Sequence, residues 1–360
     1  AHAAGLHVAR APSGLSVHQI YGRLLRLPDS VAAGTRFRGA ALSALTPDVV
    51  EHAVGALGEA ASMAGLVTGE DPSPWTGARL VPGAVGGLLD RVRDLSSRTW
   101  PACLASLAQL SGEAGLAMPA SLGDARRLLQ TLAGIDALLV RYDASLFTED
   151  LDRLTHDLMP AASALSRAWA TLANGEFRRA LRDVRARLAS GPRAGSTSSA
   201  QALRDVQEAR RLAAEWRSLA PAVPRPGRCP SLASVQSAIA DTIGQVEAVA
   251  TVVAANDVDQ RPLDAVGGWL SALAADATTP ARLLRVQELT AALRAAGVGP
   301  LLAEIQTRKP PAATWPDLLR HAWWTSCLEA VQQQEPAVAA FNGRYHDGVA
   351  EEFKALDRQR

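Results

Sequence analysis

The chain has 360 residues, of which 48% are apolar and only 4% aromatic, and its formal charge is +1. Ala, Leu and Arg dominate while β-branched runs are scarce, so the expected fold class is all-α. A near-neutral chain has no global field to draw in nucleic acid or an anionic membrane, and any such partner must be held by a local cluster.

In chain order the caps come first. Ser16 with Gln19 three residues later is a capping box that predicts a helix to about Leu27, ended by Pro28. Thr46 before Pro47 and Asp48 opens a second helix to about Gly65. Residues 67–83 read as a Pro/Gly loop around Trp75, a third helix starts near Ala84 with Pro101 as a kink or break, and Ser121 caps a fourth to about Tyr142.

The middle of the chain predicts a hairpin. Residues 147–188 and 199–219 both carry helical patterning, separated by small and turn-forming residues at 189–198. Phe177, Leu181, Val184 and Leu188 recur at the spacing of a coiled-coil seam. Beyond a Pro-rich joint at 221–230, with Arg225 and Arg228, helices are expected at about 231–254, 263–276, 280–296, 299–307 and 315–334. The architecture predicted is an elongated multi-helix array with a long antiparallel hairpin: an N-terminal subdomain over 1–145, the hairpin over 146–220 and a C-terminal subdomain over 221–360. No repeat of roughly 30 to 45 residues is evident, which disfavours a regular solenoid.

The two ends read as cuts. The last residues stop on charge without a turn, and Ala1 opens without an initiator Met, so a piece of something longer is expected. No run of about 18 apolar residues and no signal-like leader is visible, which points away from a membrane. Cys103, Cys229 and Cys327 lie far apart, without metal-type spacing, and an odd number suits a reducing cytoplasm better than a disulfide framework.

Chemistry is hard to seat on this sequence. Lys309 and Lys354 are the only lysines, and neither lies in a Gly-x-x-x-x-Gly-Lys-Ser/Thr loop, so the chain has no Walker-type phosphate site. His2, His7 and His18 are spaced at 5 and 11, neither of which is the i, i+4 distance that a helical zinc motif uses, and no metal site is expected. Tyr345, His346 and Asp347 are neighbours in sequence and so point in different directions on a helix. Glu149-Asp150 and Glu351-Glu352 fit charge placement at helix ends. No catalytic residue is assigned.

Binding is better represented. Arg178, Arg182 and Arg185 share one helical face beside Arg179 and Arg187. Asp183 is placed to pair with Arg187, and Asp205 and Glu208 on the returning arm are placed to neutralise others, so the face is either salt-bridged and solvated or a phosphate-contacting patch. Trp169, Trp216, Trp269, Trp315, Trp323 and Trp324 recur from residue 169 onward; core packing is the ordinary use of such residues, and base stacking needs exposure.

Three islands carry a resemblance. They are Leu6-His7-Val8-Ala9-Arg10-Ala11-Pro12-Ser13-Gly14-Leu15-Ser16-Val17, Leu172-Ala173-Asn174-Gly175-Glu176-Phe177-Arg178-Arg179-Ala180, and Phe341-Asn342-Gly343-Arg344-Tyr345-His346 leading to Phe353-Lys354-Ala355-Leu356-Asp357-Arg358. In this order they resemble the helical region inserted in the motor of large bacterial superfamily 1 helicases, those that often end in a restriction-type nuclease domain. The resemblance implies a P-loop before the region and an Asp-Glu magnesium motif after it. ATP and Mg²⁺ would then belong to the parent and not to this fragment, which is expected to lack ATP hydrolysis. It further implies a non-catalytic insertion that touches DNA or RNA, or a partner protein, beside the ATPase core of its own chain. Arg178, Arg179, Arg182, Arg185 and Arg193 are the candidate phosphate contacts. The alternative is a free-standing helical interaction scaffold with no nucleic-acid role.

Overall fold

In a computed structural model, residues 8–9, 12–28, 30–189, 197–219 and 221–335 are described. Among them the secondary structure is helical and no β-strand occurs, so the protein is all-α.

The helices are α1 (Val17–Leu24), α2 (Ala40–Ala44), α3 (Pro47–Ala61), α4 (Ala64–Thr68), α5 (Val85–Asp94), α6 (Trp100–Ala114), α7 (Leu122–Leu139) and α8 (Leu151–Leu158). There follow α9 (Ala164–Ala173), α10 (Gly175–Ala186), α11 (Ser199–Ser218), α12 (Leu232–Val253), α13 (Leu263–Ala275), α14 (Thr279–Ala295), α15 (Gly299–Arg308) and α16 (Trp315–Gln334). The predicted start signals act locally. Ser16 and Gln19 exchange both bonds of the capping box, and the Thr46 and Ser121 hydroxyls accept from the third residue of their helices. Pro101 cannot donate to the Ser97 carbonyl, and the turn Leu95–Thr99 immediately before α6 widens to a π-helix.

Contacts divide the chain into two compact units, Ala1–Val85 with Ala277–Arg360, and Gly86–Asp276. These bounds differ from the three consecutive segments expected, because the helices after residue 277 find their apolar partners at the start of the chain. In the first unit α16 packs on α3 and α1, with α14 and α15 joining the same core. Trp323 and Trp324 point about 100° apart on α16 yet both are buried, so the helix is covered on more than one side. Arg23 places its guanidinium over the Trp324 ring at 5.0 Å.

A segment without regular structure is tied onto this unit by side chains. Glu304 accepts from the Gly34 and Thr35 amides at 2.7 Å each, His321 Nδ1 accepts from the Ala33 amide at 3.3 Å, and Ser326 accepts from the Phe37 amide at 2.9 Å. Burial pushes the Glu304 carboxyl up, but the bonds from Thr35 and Gly34 and the Arg308 guanidinium outweigh it and hold the group down to about 2.

In the second unit α11 packs on α7 and α8, and α12 on α6 and α7. The α7–α11 approach is close: a Cβ added at Gly134 would stand 2.9 Å from a Leu212 methyl carbon. The predicted long hairpin is not what the second unit contains. Its first arm is broken into α8, α9 and α10, because Pro160 opens a 3-10 turn, Ser163 caps a new helix, and Asn174 caps another. Of the expected seam, Phe177 and Val184 are buried with Ala180, while Leu181 and Leu188 are half-buried. A short antiparallel bridge fastens the end of this arm, where Asp143 donates to the Arg187 carbonyl and Ala189 donates to the Arg141 carbonyl, both at 2.8 Å.

Candidate nucleic-acid interface

The site is built on α9 and α10. Asn174 ends α9 and begins α10, its side chain accepting from the Phe177 amide at 3.0 Å and its own amide donating to the Ala170 carbonyl at 3.0 Å. Phe177, Ala180 and Val184 turn α10 toward α8 and α11, and this leaves the arginines on the outer face.

Arg178, Arg179, Arg182 and Arg185 are all exposed. Arg178 donates to the Leu172 carbonyl at 2.9 Å, and Arg185 donates to the Thr197 carbonyl at 3.1 Å. These acceptors are neutral and do not cancel the charge. None of the four arginines forms an ion pair with a described carboxylate. Arg193 lies outside the described residues.

The carboxylates expected to neutralise this face are engaged elsewhere. Asp205 turns inward to Arg141, Tyr142 and Gln201, and Glu208 pairs with Arg211 on its own helix. Arg187 donates to the Asp183 backbone carbonyl at 2.8 Å and forms its ion pair with Glu149, so the expected Asp183–Arg187 side-chain pair is replaced. From 175 to 188 the sequence holds five arginines against two carboxylates, a local excess of positive charge in a chain whose total is +1.

An apolar stripe lies beside the arginines. Leu165, Trp169 and Leu172 occupy successive turns of one face of α9 and are 87%, 73% and 76% exposed. Trp169 borders a groove of about 720 Å³ whose other walls include Pro160, Ala173, Glu176 and Arg179. Core packing is the ordinary use of tryptophans at helical spacing. That holds for Trp216, Trp315, Trp323 and Trp324, which are buried, and Trp269 is half-buried under Arg261. Trp169 departs from it. The spacing of Leu165, Trp169 and Leu172 was legible, but the same spacing serves a buried face equally well.

Other candidates do not assemble into a site. Glu149 pairs with Arg187, whereas Asp150 caps α8 by accepting from the Arg153 amide. Cys103, Cys229 and Cys327 are free and buried, and burial raises the Cys103 thiol to about 11 and the Cys327 thiol to about 12. His18 is exposed on α1; His2, His7, Tyr345, His346, Asp347, Glu351 and Glu352 lie outside the described residues, as do Leu6, His7, Arg10 and Ala11 of the first helicase-like island and all of the third. Among the described residues no group of His, Cys, Asp and Glu is placed to hold a metal ion, and no helix is long and apolar enough to cross a membrane.

The chain matches no protein-family model, no curated protein and no solved structure.

Proposed function

We propose that the chain is a non-catalytic helical region of a superfamily 1 helicase motor that grips the backbone of DNA or RNA through α10. The observation that carries the nucleic-acid contact is the exposed row Arg178, Arg179, Arg182 and Arg185, whose expected carboxylate partners are engaged elsewhere. Guanidinium groups held by neutral carbonyls keep their full charge and leave their remaining N–H donors for phosphate oxygens, and such contacts position a strand without reading its sequence. The helicase parentage is supported by the islands in the sequence, and under it ATP and Mg²⁺ belong to the motor core flanking this region. The setting proposed is the cytoplasm, with nucleic acid and that core as partners and no membrane.

The test is a salt titration of binding to single-stranded and forked DNA, read by fluorescence anisotropy. Four phosphate contacts on a single strand give a log–log salt slope of about −3, and so a loss of about 50-fold in affinity between 50 and 200 mM salt. Reversing Arg178, Arg182 and Arg185 to Glu is expected to abolish binding. Absence of binding at low salt sinks the assignment.

A second reading, a protein-interaction scaffold without a nucleic-acid role, draws on the exposed Leu165 and Leu172, which are the kind of residue a protein partner covers. It expects no salt-dependent binding to any nucleic acid.

A further inference from the structure

Phosphate contacts alone do not distinguish a single strand from a duplex, and Trp169 bears on that choice. Trp75, Trp216 and Trp315 are buried to within 1% of full enclosure, and Trp100, Trp323 and Trp324 to within 5%. Against that habit, Trp169 presents 73% of its surface to solvent on a helix of ten residues that has packing partners available. The helix packs on the 3-10 turn Met159–Ala162 and on α10, and Ala170, which is buried, lines the same groove as the exposed indole.

Two arginines stand at this end of α9. Arg178 is anchored to the carbonyl of Leu172, one turn beyond Trp169, and Arg179 lines the groove that the indole borders. Arg182 and Arg185 continue the row along α10 for about 10 Å from Arg178, at 1.5 Å of rise per residue. A flat apolar face beside a line of guanidinium groups matches the alternation of base and phosphate along a strand. A base can lie on the indole only if its own face is uncovered, which is the case in an unpaired strand and not inside a duplex.

Resting on that nucleic-acid reading, we propose that Trp169 is a base-stacking platform that makes the α9–α10 surface selective for single-stranded nucleic acid over duplex. Glu176, the one carboxylate in the groove, faces the same space and keeps phosphates to the arginine side, so the base and not the backbone enters. Leu165 and Leu172 extend the apolar surface around the ring and contribute less than the indole, because neither offers a flat π face.

The experiment uses the full chain and two probes of equal length, an oligothymidylate single strand and a duplex, with binding followed by anisotropy across a salt series. Wild type is expected to hold the single strand more tightly than the duplex at every salt. Trp169→Leu retains an apolar residue but removes the stacking face, and is expected to weaken single-strand binding by about 5- to 100-fold while leaving the duplex and the salt slope unchanged. Trp169→Phe is expected to keep most of the selectivity. The side chain is exposed, and unchanged thermal melts of both variants confirm that the fold is intact.

Single-strand binding by Trp169→Leu equal to wild type, with a normal salt slope, overturns the stacking proposal and leaves the phosphate contacts standing. The same holds if Leu165→Ala with Leu172→Ala weakens binding as much as Trp169→Leu does, since the stripe is then a general apolar docking face of the kind a protein helix covers. Failure of wild type to bind either probe at low salt overturns the nucleic-acid reading and this proposal with it.

Discussion

Asp205 is almost wholly buried while its ion-pair partner Arg141 is half exposed, with side-chain exposures of 5% and 43%. The carboxylate is also held by the Tyr142 hydroxyl and the Gln201 amide, both at 2.8 Å. It therefore joins the end of α7 to α11 where the chain would otherwise bury an isolated charge. Asp205→Ala takes the carboxylate from Arg141 and one of two partners from the buried Tyr142 hydroxyl, and is expected to cost about 2–3 kcal/mol, against about 1 kcal/mol for Tyr142→Phe. Urea melts followed by circular dichroism measure both, and equal, negligible effects would show that the network does not hold α7 to α11.

Tyr142 also sets a response to alkali. Burial, and then its bond to Asp205, push the phenol up from 10.0 to about 12. A raised folded-state value means that the stability is complete below the unfolded phenol's value and is lost as pH rises through the folded one. Stability is expected to fall between about pH 10 and 12, and Tyr142→Phe to flatten that limb.

The first unit responds at the opposite end of the scale. His321 is held below its ordinary value by burial and then by Arg36, and protonating Nδ1 removes the acceptor used by the Ala33 amide. Glu304 is held down to about 2, so both groups contribute stability that is present above their unfolded values and is lost as pH falls. Hydrogen exchange is expected to show Ala33 losing protection first, as pH drops below the ordinary histidine range. Gly34 and Thr35 follow only between about pH 4.5 and 2. Glu304→Gln removes the later step at a cost of about 2 kcal/mol, the shift being discounted for solvent screening. Simultaneous loss of all three amides would contradict the separate roles of His321 and Glu304.

The contrast between these contacts and the caps explains what the sequence could tell. Ser16, Thr46 and Ser121 act on residues three positions away, so their signals are complete in a short window. Glu304 and Thr35 are 269 residues apart, and no periodicity encodes their meeting. The heptad spacing of Phe177 and Val184 correctly marked a buried face, but it did not report that Pro160 and Asn174 divide the arm carrying them. Charge pairing failed for a related reason: Asp205 was placed opposite the α10 arginines by helix geometry alone, whereas burial gave it Arg141, which is 64 residues away. The arginine face was legible as a cluster; the loss of its neutralising partners and the exposure of Trp169 depend on tertiary packing.

Gly134 and Gly244 make a paired test of packing. A Cβ at Gly134 meets Leu212, which is itself fully buried and cannot swing aside, so Gly134→Ala is expected to destabilise by about 1–3 kcal/mol. Gly244 on α12 has nothing within 4 Å of the same position, and there Ala is expected to stabilise by up to about 1 kcal/mol through helix propensity. Thermal melts of the two variants should move in opposite directions, and a shared direction would show that the α7–α11 approach is looser than the structure has it.

Asn174 links the fold to the proposed interface. It breaks the helical path between Trp169 and Arg179, and the bend places both on the rim of one groove. Asn174→Ala removes the side-chain bond to the Phe177 amide and is expected to cost about 1 kcal/mol as a lost cap. Adding Gly175→Ala, where a Cβ meets nothing within 4 Å, raises helix propensity across the break and favours one continuous helix through α9 and α10. Every arginine and the indole would still be present, but they would no longer share a groove. The double variant is therefore expected to gain helical circular dichroism, to keep salt-dependent phosphate binding, and to lose its preference for single strands. Retained preference alongside increased helicity would mean that selectivity does not depend on the Asn174 bend.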